Sequence, residues 1–193
     1  MQPLICKSFA KLNLCLHILD RRNDGYHNLE SIFCIIDFYD TLSFQKNNTT
    51  KVNFKTNCNE IDATYNLVTK AYNVISNLYD IEGVDIFLDK KIPIGSGLGG
   101  GSSNAAVTLL ALNDIFKLNL SRDNLMKISQ DVGSDVPFFI NGGAAYIGGK
   151  GEIINNIAIG KKYFVLILPT LNISTKDIYK SLSSKNFMTK YSL

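Results

Sequence analysis

The chain has 193 residues, 46% of them hydrophobic and 19% charged, with a formal net charge of +3. This is the composition of an ordinary folded protein, neither disordered nor fibrous, and a core of that size stands without disulfides. No run of like charges marks a nucleic-acid arm, and the longest apolar runs fall well below membrane-spanning length.

In chain order, Leu12, Leu14, Leu16 and Ile18 alternate with Asn13, Cys15 and His17, predicting a half-buried strand. Strand side chains alternate, so Lys11 and Asn13 share the face opposite the leucines. Asp24-Gly25 is a hairpin or loop signal. Thr41 to Gln45 and Lys51 to Lys55 read as short strands around the polar turn Asn47-Asn48-Thr49-Thr50. Leu67, Val68, Ala71, Tyr72, Ile75, Leu78 and Tyr79 recur at helical spacing and predict an amphipathic helix over Tyr65 to Tyr79. Val84, Ile86 and Leu88 form a strand that runs into Pro93. Ala105, Ala106, Leu109, Leu112 and Phe116 carry a second helix. Ser121 caps a third, with Leu125, Ile128 and Val132 on one face. Gly142-Gly143 opens an apolar stretch that Gly149 to Gly151 ends, and Tyr163 to Leu168 reads as a buried strand stopped by Pro169. Strands and helices mix without strict βαβ alternation, so the fold class expected is α+β.

Cys6, Cys15, Cys34 and Cys58 form no C-x-x-C pair, and with His17 and His27 they offer no zinc spacing. Scattered cysteines suit a reducing compartment, and Lys7 comes too early for a secretion signal, so a cytoplasmic location is expected.

The strongest chemical signal is Pro93-Ile94-Gly95-Ser96-Gly97-Leu98-Gly99-Gly100-Gly101-Ser102-Ser103, placed between a strand and a helix. Its five glycines allow positive φ and close approach of backbone N–H groups to a ligand. The helix that follows presents unpaired N–H groups and the positive end of its dipole. Such a loop is a phosphate cradle. It falls mid-chain, so a Rossmann reading is poor; H-R-D, D-F-G and Gly-Lys-Ser or Gly-Lys-Thr sequences are all missing, which excludes protein-kinase and Walker readings.

Pro-x-x-x-Gly-Leu-Gly-Gly-Gly-Ser-Ser resembles the second motif of the GHMP small-molecule kinases, and Ser8-Phe9-Ala10-Lys11-Leu12-Asn13-Leu14 resembles their first. Arg21-Arg22-Asn23-Asp24-Gly25-Tyr26-His27, followed by Leu29, and Gly133-Ser134-Asp135-Val136-Pro137-Phe138-Phe139 are similar to one branch, which acts on 4-diphosphocytidyl-2-C-methyl-D-erythritol in the non-mevalonate isoprenoid route. The matches run from Lys11 to Tyr179 in the family's order.

The resemblance implies a GHMP N-terminal domain over 1–160, similar to the ribosomal protein S5 domain 2-like fold. It implies that 161–193 begin a truncated, ferredoxin-like C-terminal domain. It also implies phosphate transfer from ATP, with Mg²⁺, to the 2-hydroxyl of a CDP-linked polyol, with Asp135 as general base and Lys11 beside it. Asn13, Tyr26, His27 and Tyr179 would hold the substrate, and the loop from Pro93 to Ser103, with Asn66 and Lys90, the nucleotide. Competing readings are a non-catalytic nucleotide-binding remnant and a kinase for another small alcohol. The family's third, glycine-rich motif does not appear before Leu193, so Tyr163 to Leu168 is expected to lie uncovered and to drive self-association.

Overall fold

The computed structural model describes residues 2–168. Two long strands, β1 (Leu4–Arg21) and β2 (His27–Lys46), form an antiparallel ribbon that carries the rest of the molecule. β1 runs along one edge of β2. The opposite edge is shared, with Thr41 to Lys46 pairing β4 (Val84–Asp89) and Leu29 to Cys34 pairing β5 (Ala144–Gly149). β3 (Val52–Thr56) lies parallel to β4, and β6 (Ile153–Asn156) closes the far side on β5. Parallel neighbours need a crossover, and the helix α1 (Leu67–Leu78) supplies it between β3 and β4. The arrangement is α+β, as the mixed order of elements predicts.

Asn66 starts α1. Its side chain accepts from the N–H groups of Val68 and Thr69, and Thr69 answers the cap's own N–H, a complete capping box. The predicted face of that helix, with Val68, Ala71, Tyr72 and Ile75, is buried against β3, β4 and α2 (Gly100–Ile115). Ala105, Ala106, Leu109 and Leu112 of α2 fill the same core from the other side. Ser121 caps α3 (Arg122–Ser129) by accepting from Asn124 N–H at 3.2 Å. A short α4 (Val136–Asn141), with Pro137 in its first turn, carries Phe138 onto Phe33 of β2, ring centroids 5.1 Å apart and edge to face.

Two expectations change, and one stretch that carried no assigned element gains one. The first strand is 18 residues rather than a short run around Leu12 to Ile18, and β2 extends far upstream of Thr41. The apolar stretch after Gly143 is strand β5. Tyr163 to Leu168 is neither a strand nor buried: Tyr163, Val165 and Ile167 are almost fully exposed. An apolar run becomes a strand only when a neighbour pairs its backbone, and no described strand reaches this one.

Candidate active site

The glycine loop leaves the sheet after β4 and turns into α2. Gly95, Gly97 and Gly99 all take left-handed backbone angles, with φ of 70°, 74° and 71°. Gly99 is the N-cap of α2. A methyl group on it would come within 2.7 Å of the Phe139 ring and 3.1 Å of Lys11 Cγ, so both space and dihedral demand glycine there. No side chain caps α2 and no acid lies in its first turn. Its leading N–H groups are therefore left for a ligand, at the positive end of the helix.

β1 passes directly beneath this loop. Lys11 N–H donates to the Leu98 carbonyl at 2.9 Å, which locks strand and loop together. Lys11 is only 4% exposed. Its ammonium donates to Asn13 Oδ1 at 2.5 Å, sits 4.2 Å above the Phe33 ring and lies 3.9 Å from Asp135 Oδ2. Lys11 and Asn13 thus share a face, as strand alternation requires. Burial pushes the Lys11 pKa below its ordinary value, and the Asp135 carboxylate recovers part of that loss. Asp135 itself is the N-cap residue of α4, yet its carboxylate makes no capping bond and stays 34% exposed.

These groups open onto one cleft of about 1450 Å³. At one end stand Tyr26 and His27, at the tip of the β1–β2 hairpin. Gly25 turns that tip with φ of 85°, Asp24 accepts from Tyr26 N–H at 3.1 Å, and Lys150 approaches the Tyr26 ring to 5.3 Å. At the other end an apolar recess is walled by Phe54, Ile61, Leu67 and Leu88. The glycine loop and the Lys11–Asp135 pair lie in the wall of the same cleft.

Residues 66–143 match the family GHMP kinases N terminal domain, a span that holds the glycine loop and Asp135. The chain is 41% identical over 189 residues to the 4-diphosphocytidyl-2-C-methyl-D-erythritol kinase of Francisella philomiragia, covering 95% of this chain and 69% of the relative. The chain belongs to the 4-diphosphocytidyl-2-C-methyl-D-erythritol kinase family. A second member, from Prochlorococcus marinus, is 43% identical over 96% of this chain and 62% of its own length. The crystal structure of a 4-(cytidine 5'-diphospho)-2C-methyl-D-erythritol kinase superimposes with a TM-score of 0.81 at 31% identity, over 96% of this chain and 66% of that one. The chain therefore spans about two thirds of the length of these family members.

Most residues that the family resemblance singles out meet in the cleft: Lys11, Asn13, Tyr26, His27, Asn66, Lys90, Asp135 and, from the loop, Pro93 to Gly97 and Gly99 to Ser102. Two do not. Leu98 turns inward onto Ala10 and Ile92, and Ser103 is buried, its Oγ accepting from Ser8 Oγ at 2.8 Å. A loop that wraps a ligand must also anchor itself, and these two side chains are the anchors. Asn66 and Lys90 line the cleft with their polar ends engaged elsewhere. Asn66 caps α1 and donates to the Asp62 carbonyl at 2.8 Å. Lys90 pairs with Asp40 at 3.0 Å and also donates to the Ile92 carbonyl. Tyr179 lies outside the described residues. Sequence reasoning missed Phe33, Lys150 and Asp40. Phe33 is hidden in an unbroken apolar run, Asp40 has no motif around it, and Lys150 was legible only as the centre of Gly149-Lys150-Gly151.

Proposed function

We propose that this chain carries the nucleotide- and substrate-binding part of an ATP-dependent kinase, over residues 1–160, that phosphorylates the 2-hydroxyl of 4-diphosphocytidyl-2-C-methyl-D-erythritol. The product would feed isoprenoid precursor synthesis, in the cytoplasm, a compartment that would suit four cysteines with no disulfide among them. Residues 161–193 would open a second domain. The observation that carries the reading is the Asp135 carboxylate 3.9 Å from Lys11, on a strand hydrogen-bonded to the glycine loop.

Phosphoryl transfer asks for alignment and neutralised charge rather than covalent help from the protein. Loop amides and the open end of α2 would hold the phosphates. The substrate hydroxyl would give its proton to Asp135 as its oxygen attacks the terminal phosphorus, and the bond to ADP breaks on the opposite side. Lys11, fixed by Asn13 and the Phe33 ring, would balance charge as it develops. Tyr26 offers an exposed ring for a pyrimidine to stack on, with His27 beside it. Asn66 and Lys90 would contact the adenine side through their non-polar edges.

The described residues hold no cluster of three or more carboxylate, histidine or cysteine side chains. That suits Mg²⁺, which usually keeps its waters and binds through phosphates plus one or two carboxylates. Asp135, a carboxylate in the wall of the same cleft as the glycine loop, would face the ion, and the ion would supply neutralisation of phosphate charge.

The test is substrate competition. CDP should inhibit transfer from ATP competitively with the CDP-linked alcohol, and mevalonate and homoserine should not be phosphorylated. Transfer unaffected by CDP would contradict the cytidine assignment.

A further inference from the structure

Between its stretches paired with β5 and β4, the edge of β2 pairs with no described strand; Ile35 N–H donates to the Gly143 carbonyl at 3.0 Å, and the backbone entering the glycine loop meets β2 at Asp40. Asp40 stands in this gap with no solvent exposure. Its Oδ1 accepts the backbone N–H groups of Lys91 and Ile92, each at 2.7 Å. Its Oδ2 accepts from Asn104 Nδ2 at 3.0 Å and pairs with Lys90 Nζ at 3.0 Å. Asn104 donates as well to Ser8 Oγ on β1, at 2.9 Å. Lys91 and Ile92 lead into Pro93, where the loop begins, and Asn104 lies one turn into α2, where it has ended. One carboxylate therefore holds both ends of a loop whose own glycines restrain it little.

A buried charge is costly unless donors surround it, and apolar packing often stabilises as well or better. Four donors converging on one carboxylate fix a geometry as well as a fold. We propose that Asp40 is a positioning residue: it sets the span between the loop's two ends, and so the direction in which the loop amides face the triphosphate. This rests on the phosphate-transfer reading above.

Asp40→Asn keeps an oxygen for Lys91 and Ile92 but turns an amide N–H toward Asn104 and Lys90. Asn104→Ala cuts the tie from Asp40 to α2 together with the bond from Asn104 to Ser8, leaves the other three donors to Asp40 in place, and covers the case in which Asp40→Asn does not fold. The exchange Asp40→Asn with Asn104→Asp restores a donor and an acceptor across the same contact. Amide hydrogen exchange and calorimetric titration with Mg²⁺-ADP are run on the full chain and each variant. In Asn104→Ala, amides of 94–101 should exchange at least tenfold faster while those of α1 and β4 hold. ADP affinity should fall at least fivefold, and the exchange variant should recover part of both. Loop exchange equal to that of the unaltered chain, or loosening of α1 and β4 as great as that of the loop, would overturn the proposal. Loosening confined to the loop with ADP affinity unchanged would also overturn the positioning role, whereas no ADP binding even by the unaltered chain would leave the tether standing and overturn the nucleotide reading instead.

Discussion

Lys11 is where stability and activity pull in opposite directions. Its burial lowers its pKa, and Asp135 only partly compensates. An unfolded lysine keeps its proton to higher pH, so the cost of burying the charge is fully present below the folded pKa. That cost is relieved as pH rises through the lowered folded value toward the ordinary one. Stability should rise across that window while turnover, which in the proposed mechanism needs the charged form, should fall. Replacing Lys11 with Met should lower turnover about 10²–10³-fold, the usual effect of deleting one charge-stabilising donor. Its midpoint of thermal unfolding at neutral pH should be unchanged or higher, because Asp135 retains solvent. Scanning fluorimetry beside a turnover assay checks this, and a midpoint several degrees lower would contradict it. At this scale the site was largely legible. Lys11 and Asn13 fall on one face by strand parity, and the Asp135 motif supplied their neighbour. Asp40 was not legible, because its role exists only once β2, the loop and α2 meet.

Among the elements, the glycine loop and α2 make the sharpest demand on residue type. Gly99→Ala would add left-handed strain of about 1–2 kcal/mol. It would also drive a methyl into the Phe139 ring, adding about 1–3 kcal/mol of overpacking. Gly97 has a similar φ but open space around its α-carbon, so Gly97→Ala should carry the strain alone. Urea unfolding of the pair measures the difference, and equal losses would contradict this account of Gly99. Helices α1 and α3 were readable because apolar spacing and caps agree, and α2 from its apolar spacing after the glycine loop. β2 was not, since Ile32, Phe33, Cys34, Ile35 and Ile36 run without alternation, and its pairing with β1 skips Asp37 and Phe38 at a register shift. At six residues, α4 is too short to show a period.

For the whole molecule, the long ribbon of β1 and β2 brings the hairpin tip, the glycine loop and α4 to one cleft, although Lys11 and Asp135 stand far apart in the chain. No helix among the described residues is long and apolar enough to cross a membrane. Tyr163 to Leu168 leaves large apolar side chains in solvent, and we propose that copies of the chain associate through it. Sedimentation at rising concentration should show association that Val165→Asp with Ile167→Asp abolishes; a monomer throughout would contradict it. The proposed function stands or falls with phosphate passing directly from ATP to the alcohol while Asp135 takes the hydroxyl proton. Phosphorus NMR of the chain with Mg²⁺-ATP and 4-diphosphocytidyl-2-C-methyl-D-erythritol follows that passage directly. A new phosphomonoester signal should grow with the unaltered chain and form about 10²–10⁴-fold more slowly with Asp135→Ala, as removal of a positioned base requires, with ATP binding nearly intact. Equal rates from the two proteins, or ATP binding lost in the variant while turnover persists, would contradict it.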